Sequence, residues 1–428
     1  MKGGLLLSFS LLTWFAAPAD ALEVGASRCD ITPDVQTYRV PLAGYGARAG
    51  KPATGVHDPL FAKVLFFRNA TTNMALITCD LRSITPDLKK QVINKIEGLG
   101  LNEDNVLICA SHTHDGPSLY PEKFWRIQFG DYDPKIVEIM SDRVAKAVKN
   151  AATGAVPAKV GFEKGIARGF SKNRRWGYDS QAREDAGETP AVEPVVTVMR
   201  VDNLHGETFA LLVHFATHPT LLGAGNLMVS AEWPGVLQRE LERDFPGSVV
   251  LYANGAEGDQ SPAGAQGSTD FEKMEDFGIR LAGIAAEVVR NVQTEASLSI
   301  AFARVTPELP AFAFTAYAQT RYGQYLQSAL EDLPKQAEIQ LLRIGETVFC
   351  GLPGEPILEV GRAVRKKVMN CGFKRGIVVG LANDYIGYIV NEKEYSHGGY
   401  EVDSRSYYGP GLGDFIAEHA KRAAESLK

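Results

Sequence analysis

The chain has 428 residues, 45% of them hydrophobic, and a formal net charge of −6. That length supports a large core in one or two sub-domains, and the mild acidity leaves no Lys/Arg stripe of the kind that tracks a nucleic-acid backbone. Five cysteines (Cys29, Cys79, Cys109, Cys350 and Cys371) are few, odd in number and form no C-x-x-C, which excludes a disulfide scaffold and argues against cysteine-held zinc.

In chain order, residues 1–21 read first as an export signal. Lys2 is a minimal charged n-region, 5–17 a short apolar stretch, and Ala19-Asp20-Ala21 a small-x-small cleavage site. The mature chain, 22–428, is then expected as one secreted or periplasmic domain. No later run reaches the roughly 18 apolar residues of a membrane-spanning helix. Short apolar runs predict strands at 63–67, 74–78, 106–110, 195–201, 209–215, 248–253, 299–305, 338–344, 348–351 and 376–381. Start signals open helices at Thr85-Pro86, Asp133-Pro134 and Trp233-Pro234, an amphipathic pattern covers 269–292, another helix follows Glu355, and 413–427 closes the chain. Strands and helices do not alternate strictly. The fold class is therefore α/β with a mixed β-sheet core flanked by helices, not a doubly wound parallel sheet. Residues 168–189 form a polar, charged loop. Residues 309–334 carry Phe312, Phe314, Tyr317, Tyr322 and Tyr325, and read as a packed arm or as a lid over a substrate.

Four of the eight histidines fall in two patches at strand ends. The first, Ser111-His112-Thr113-His114-Asp115-Gly116-Pro117, follows the apolar run 105–110. At a strand's period of two, His112 and His114 share a face, so one can bind a metal while the other works beside it as acid or base. The second is His214-Phe215-Ala216-Thr217-His218-Pro219-Thr220. His214 lies inside the apolar run and reads as structural, whereas His218, at the turn, is free to reach a site. Zinc hydrolysis needs about three N/O ligands and an open position, so oxygen donors are expected later in the chain. Glu355, between Gly354 and Pro356, is either a helix cap or a fixed, exposed donor. Asn383-Asp384-Tyr385-Ile386-Gly387-Tyr388 and the tyrosine-rich stretch 395–408 follow another strand.

These patches, with Asp30-Ile31-Thr32-Pro33, Gly44-Tyr45-Gly46 and Gly258-Asp259-Gln260-Ser261-Pro262, run in one order along nearly the whole mature chain, ending at Gly409-Pro410. In this the chain resembles the catalytic domain of the neutral/alkaline, non-lysosomal ceramidases. The resemblance implies one Zn2+ per chain, held by His112, His218, Glu355 and Tyr388. It implies His114, Arg174 and Tyr400 as catalytic residues, with Arg175 an alternative to Arg174, and it adds Ser261, which matches a family serine. The implied reaction is hydrolysis of the N-acyl amide of a ceramide-like lipid by a metal-activated water, with His114, near an ordinary histidine pKa of about 6.5, protonating the leaving nitrogen.

The expected partners are a small-molecule lipid or N-acyl amide and the surface of a membrane, not nucleic acid. Three departures bear on the substrate: Asp115 stands where the family has serine, Leu221-Leu222 and Ser230-Ala231-Glu232-Trp233 differ, and no β-sandwich domain is expected after the catalytic one. A zinc hydrolase of another N-acyl amide or an ester is therefore an alternative. A Ser261 serine hydrolase and a non-catalytic binding protein are others, although Gly258-Asp259-Gln260-Ser261 is not a G-x-S-x-G elbow.

Overall fold

A computed structural model describes residues 22–313 and 329–428. The export signal, and Phe314, Tyr317, Tyr322 and Tyr325 of the aromatic arm, lie outside the described residues. We number the main strands β1 (Glu23–Asp30), β2 (Phe61–Arg68), β3 (Asn73–Cys79), β4 (Val106–Ala110), β5 (Val156–Ile166), β6 (Val195–Asn203), β7 (Thr208–Phe215) and β8 (Val249–Asn254). They form one eight-stranded sheet in the order β8-β7-β6-β5-β1-β2-β3-β4. Most neighbours are antiparallel, but the outer pairs β3/β4 and β7/β8 are parallel. A four-stranded sheet holds β9 (Ile300–Val305), β10 (Ile339–Ile344), β11 (Thr347–Gly351) and β12 (Arg375–Val379), with β11 and β12 parallel.

The two sheets share one buried apolar layer, to which Leu107, Leu212, Leu251, Leu342 and Phe349 contribute. Alternate residues turn the other way: on β7, Ala210 and Leu212 enter that layer while Leu211, Val213 and Phe215 pack beneath the helices. Burial on both faces explains why these strands read as unbroken apolar runs and not as alternating ones. Helices Glu232–Asp244 and Asp270–Asn291 cover β5–β8, Pro134–Thr153 covers β1 and β2, and Leu358–Asn370 and Leu412–Glu425 cover the smaller sheet.

The helix starts follow their local chemistry. Thr85 Oγ1 accepts from the Leu88 amide with Pro86 at the first turn, Asp133 accepts from Lys135, and Thr269 and Glu272 form a reciprocal capping box. Two strands go unannounced in the sequence. β1 (EVGASRCD) and β5 (VPAKVGFEKGI) are interrupted by glycine and charge, and only their central place in the sheet makes them strands.

The eight-stranded sheet curls until its edge strands approach: Asn254 Nδ2, at the end of β8, donates to Ser111 O beyond β4 (3.1 Å) and to Thr217 O beyond β7 (3.2 Å). The ends of β4, β7, β8, β11 and β12 thereby converge. In open α/β sheets the carboxyl ends of parallel strands are where sites form.

Candidate metal centre and active site

β4 ends at Ala110, before either histidine of its patch. Alternation along a strand is thus not what brings His112 and His114 together. His112 takes a left-handed backbone (φ 75°), strained for a non-glycine residue and held by its amide donating to Leu81 O at 2.9 Å. This turn sets the two rings edge to face, 4.8 Å between centroids, with their Nε2 atoms 3.3 Å apart.

His218 enters from the turn after β7. Glu355 follows β11 in the short strand Glu355–Pro356, which pairs in parallel with Tyr388–Ile389 and sets Glu355 opposite Tyr388. Glu355 Oε2 lies 3.2 Å from His112 Nε2 and 3.1 Å from His218 Nε2, and the Tyr388 hydroxyl lies 3.2 Å from His218 Nε2. Donors around a tetrahedral zinc, with bonds of about 2.0–2.1 Å, stand roughly 3.3 Å from one another.

Two main-chain carbonyls decide which ring nitrogen faces the cluster. His112 Nδ1 donates to Arg82 O (2.7 Å) and His218 Nδ1 donates to Glu257 O (2.8 Å), so each turns its Nε2 lone pair toward Glu355. Burial, with Arg174 nearby, pushes the His218 pKa down to about 3 and keeps the ring neutral. Three acceptors now face one another in a dry site, which is unfavourable unless a cation lies among them. A proton satisfies one such contact; a divalent metal satisfies them all. The residues fit a metal ion, and two overlapping groups (His112, His114 and His218; His112, Glu257 and Glu355) bring ligand atoms within 4.8 Å of one another.

The other Glu355 oxygen is held by the Tyr385 hydroxyl (2.6 Å) and Arg82 Nη2 (3.2 Å). Burial opposes its charge, but His112, His218 and Arg82 keep the carboxyl well below the ordinary range. Arg82 was not among the residues singled out from sequence. Its signal is an arginine buried in Leu81-Arg82-Ser83 just past an apolar strand.

His114 differs from the other two: its Nδ1 is buried and has no hydrogen-bond partner among the described residues. Ligating histidines almost always anchor the second nitrogen, so an unanchored ring suits proton transfer better than ligation. Tyr45 packs against its edge at 4.7 Å. Gly44 (φ 106°) makes room, because a β-carbon there would lie 2.4 Å from His114 Cγ. The expectation of an ordinary pKa is corrected here. Burial, and then the neighbouring His112, hold His114 well below 6.5, so the neutral ring is the resting form.

Arg174, not Arg175, faces the cluster. Arg174 Nη2 donates to the Tyr388 hydroxyl and to Gly258 O (both 2.8 Å), and Nε to Glu401 (2.6 Å). Arg175 is buried and consumed by Glu394, Glu401 and two carbonyls. Tyr400 stands at the rim, 43% exposed, its ring 6.0 Å from that of Tyr388 and its hydroxyl accepting from Arg405 Nε (3.0 Å).

Among the described residues no hydrogen bond joins the Ser261 hydroxyl to this cluster, although its neighbour Gln260 accepts from the His218 amide at 2.9 Å. Ser261 pairs with Lys172 in a short strand, and the Asp259 carboxylate is already taken by Asn173, Gln260 and the Leu358 amide. No histidine bonds its hydroxyl among the described residues, so a nucleophilic Ser261 lacks its base. The Asp115 departure also has a structural account: the carboxylate is fully buried against Arg48 and Asn226, and Arg48 also donates to His114 O and Ala43 O. Phe312 of the aromatic arm packs on Tyr408 at 5.3 Å. No helix among the described residues is long and apolar enough to cross a membrane.

A mixed-sheet α/β protein with a buried His–His–Glu–Tyr cluster at its strand ends is a candidate metal-centre protein. The model for the N-terminal part of the neutral/alkaline non-lysosomal ceramidases matches residues 22–277 and 320–414, and the chain belongs to that family. The neutral ceramidase of Mycobacterium tuberculosis is 24% identical, over 90% of this chain and 74% of its own length, and that of Pseudomonas aeruginosa 23% identical, over 95% and 72%. The crystal structure of the Pseudomonas aeruginosa neutral ceramidase superposes with a TM-score of 0.84 at 21% identity, covering 95% of this chain and 74% of that one. A ceramidase complexed with C2 superposes at 0.83, with 20% identity, covering 95% and 75%.

Proposed function

We propose that this chain is a zinc-dependent amidohydrolase that cleaves the N-acyl amide of a ceramide-like lipid to a sphingoid base and a fatty acid, and that it acts outside the cytoplasm after removal of residues 1–21. The observation that carries the reading is the convergence of His112, His218, Glu355 and Tyr388, with His114 and Arg174 against the same spot. Membership of the ceramidase family, and relatives named neutral ceramidase, support the substrate class.

His112, His218, Glu355 and Tyr388 would hold the metal. A zinc ion there supplies Lewis acidity, bringing the pKa of water toward about 7 and polarising a carbonyl. The neutral His114 ring is placed to take a proton from the attacking water and pass it to the amide nitrogen, which cannot leave unprotonated. Arg174 and Tyr400 donate to the developing oxyanion. The Tyr400 hydroxyl accepts from Arg405, which leaves its own proton free to donate. The test is hydrolysis of a ceramide with a short labelled acyl chain, both products followed by mass spectrometry. Release that stops with chelator and returns with Zn2+ is the expected result. No release from protein that demonstrably holds zinc would move the reading to another N-acyl amide or an ester.

A further inference from the structure

Glu257 has no part in the chemistry above. It lies past the end of β8, fully buried, and neither carboxylate oxygen finds a hydrogen-bond partner among the described residues. Its main chain is already committed, the carbonyl accepting from His218 Nδ1. A buried carboxyl without a partner carries a desolvation cost that a hydrogen-bonded one offsets. A leucine would fill the same volume. The side chain nevertheless lies beside the donor cluster, one oxygen within 4.8 Å of ligand atoms of both His112 and Glu355. The chain leaves space for it: Gly380 carries no side chain, and a β-carbon there would lie 2.8 Å from Glu257 Oε2.

We propose that Glu257 is a further metal-ligating residue, a second carboxylate that binds the same divalent cation as His112 and Glu355. The inference rests on the metal reading given above. It turns a two-histidine, one-carboxylate, one-phenol set into one with two carboxylates. Such a set is more nearly charge-neutral with a divalent ion, and it is more accepting of oxygen-preferring metals such as Mn2+. The orphaned oxygens are thereby explained, since they are unsatisfied only until a cation is bound.

The test is a titration of the metal-free full chain with Zn2+ and separately with Mn2+, following affinity by competition with a chelating dye and thermal midpoint with and without metal. For Glu257→Leu we expect Zn2+ affinity to fall by about tenfold or more, Mn2+ binding to fall further, and the metal-free midpoint to stay level or rise. Loss on the metal-bound side alone is the signature of a ligand, because metal stabilises only through the state that binds it. A changed visible spectrum of the Co2+-loaded variant is the expected companion result. Unchanged Zn2+ and Mn2+ affinity, with metal-free and metal-bound midpoints displaced equally, would overturn the proposal and leave Glu257 structural. If the leucine variant does not fold, Glu257→Gln carries the same titration, with weakened or unchanged affinity deciding in the same way. His112→Ala separates the two levels. If the parent chain binds no Zn2+, or if binding survives that change, the metal reading itself fails. If binding depends on His112 and ignores Glu257, only the present inference fails.

Discussion

The ends of β4 and β7 each carry two histidines, both beyond the strand at β4 and one inside it at β7, and use them differently. At each end one ring, His112 or His218, has Nδ1 locked on a carbonyl and Nε2 aimed at Glu355. The second ring separates them. His114 reaches into the cluster with Nδ1 unpartnered, whereas His214 turns away and bonds Val378 O through Nε2 at 2.7 Å. Four histidines of one chemistry thus become two ligand candidates, one candidate proton carrier and one structural tie. The partner of the second nitrogen assigns the role, and that partner always comes from a distant segment.

The largest effect should come from the locked rings. His112→Ala or His218→Ala should abolish zinc retention, measured by elemental analysis, and take amide hydrolysis to background. Metal kept at full stoichiometry in either variant would break the comparison at its base. His114→Asn should retain the metal yet lose about 10²–10⁴ in kcat, the usual contribution of a positioned acid–base group. If it lost metal as well, His114 would belong with the ligands.

Arg174→Ala should cost about 10²–10³ in kcat as a lost oxyanion donor. Arg175→Ala should instead cost stability, on the order of 1–3 kcal/mol by chemical denaturation, because it removes one of the two cations on each of the buried Glu394 and Glu401, leaving Arg183 and Arg174 in place. His214→Phe should leave zinc stoichiometry unchanged and cost about 1–3 kcal/mol, the penalty for leaving the Val378 carbonyl unpaired.

The smallest effect is a pH slope that the two turns share. Each holds a buried carboxyl pushed up mainly by burial, Asp115 to about 7 and Glu232 to about 8. Both lie above their unfolded values, so the native state binds more protons than the unfolded one. The associated stability is fully present below about pH 4 and is lost as pH rises through 7 to 8. Glu232 accepts the Leu222 (2.9 Å) and Trp233 (2.7 Å) amides from a left-handed backbone (φ 59°). Glu232→Gln should flatten the upper part of that slope in thermal melts taken between pH 5 and 9, and an unchanged slope would remove Glu232 as its source.

Much of this was legible in the chain itself. Apolar runs such as 106–110 and 209–215 fixed strands because both faces are buried, and Thr85-Pro86, Asp133-Pro134 and the Thr269/Glu272 pair fixed helix starts through local hydrogen bonds. His112, His218, Glu355 and Tyr388 could be named because each follows an apolar run at a turn, within patches that match a family in order. What sequence could not supply is whatever depends on a partner far along the chain. β1 and β5 are strands only because neighbours pair with them. The left-handed turn at His112, not strand alternation, brings its ring to His114. Asp259 is occupied from three sides, and Ser261 is left without a base. Arg174 and Arg175 are adjacent and alike in sequence, yet one points at Tyr388 and the other into Glu394 and Glu401. Local propensity and burial period act over a few residues, so the sequence determined the elements and the donor types. Hydrogen bonds and ion pairs across 30 to 273 residues, which only the folded sheet creates, decided what each donor does.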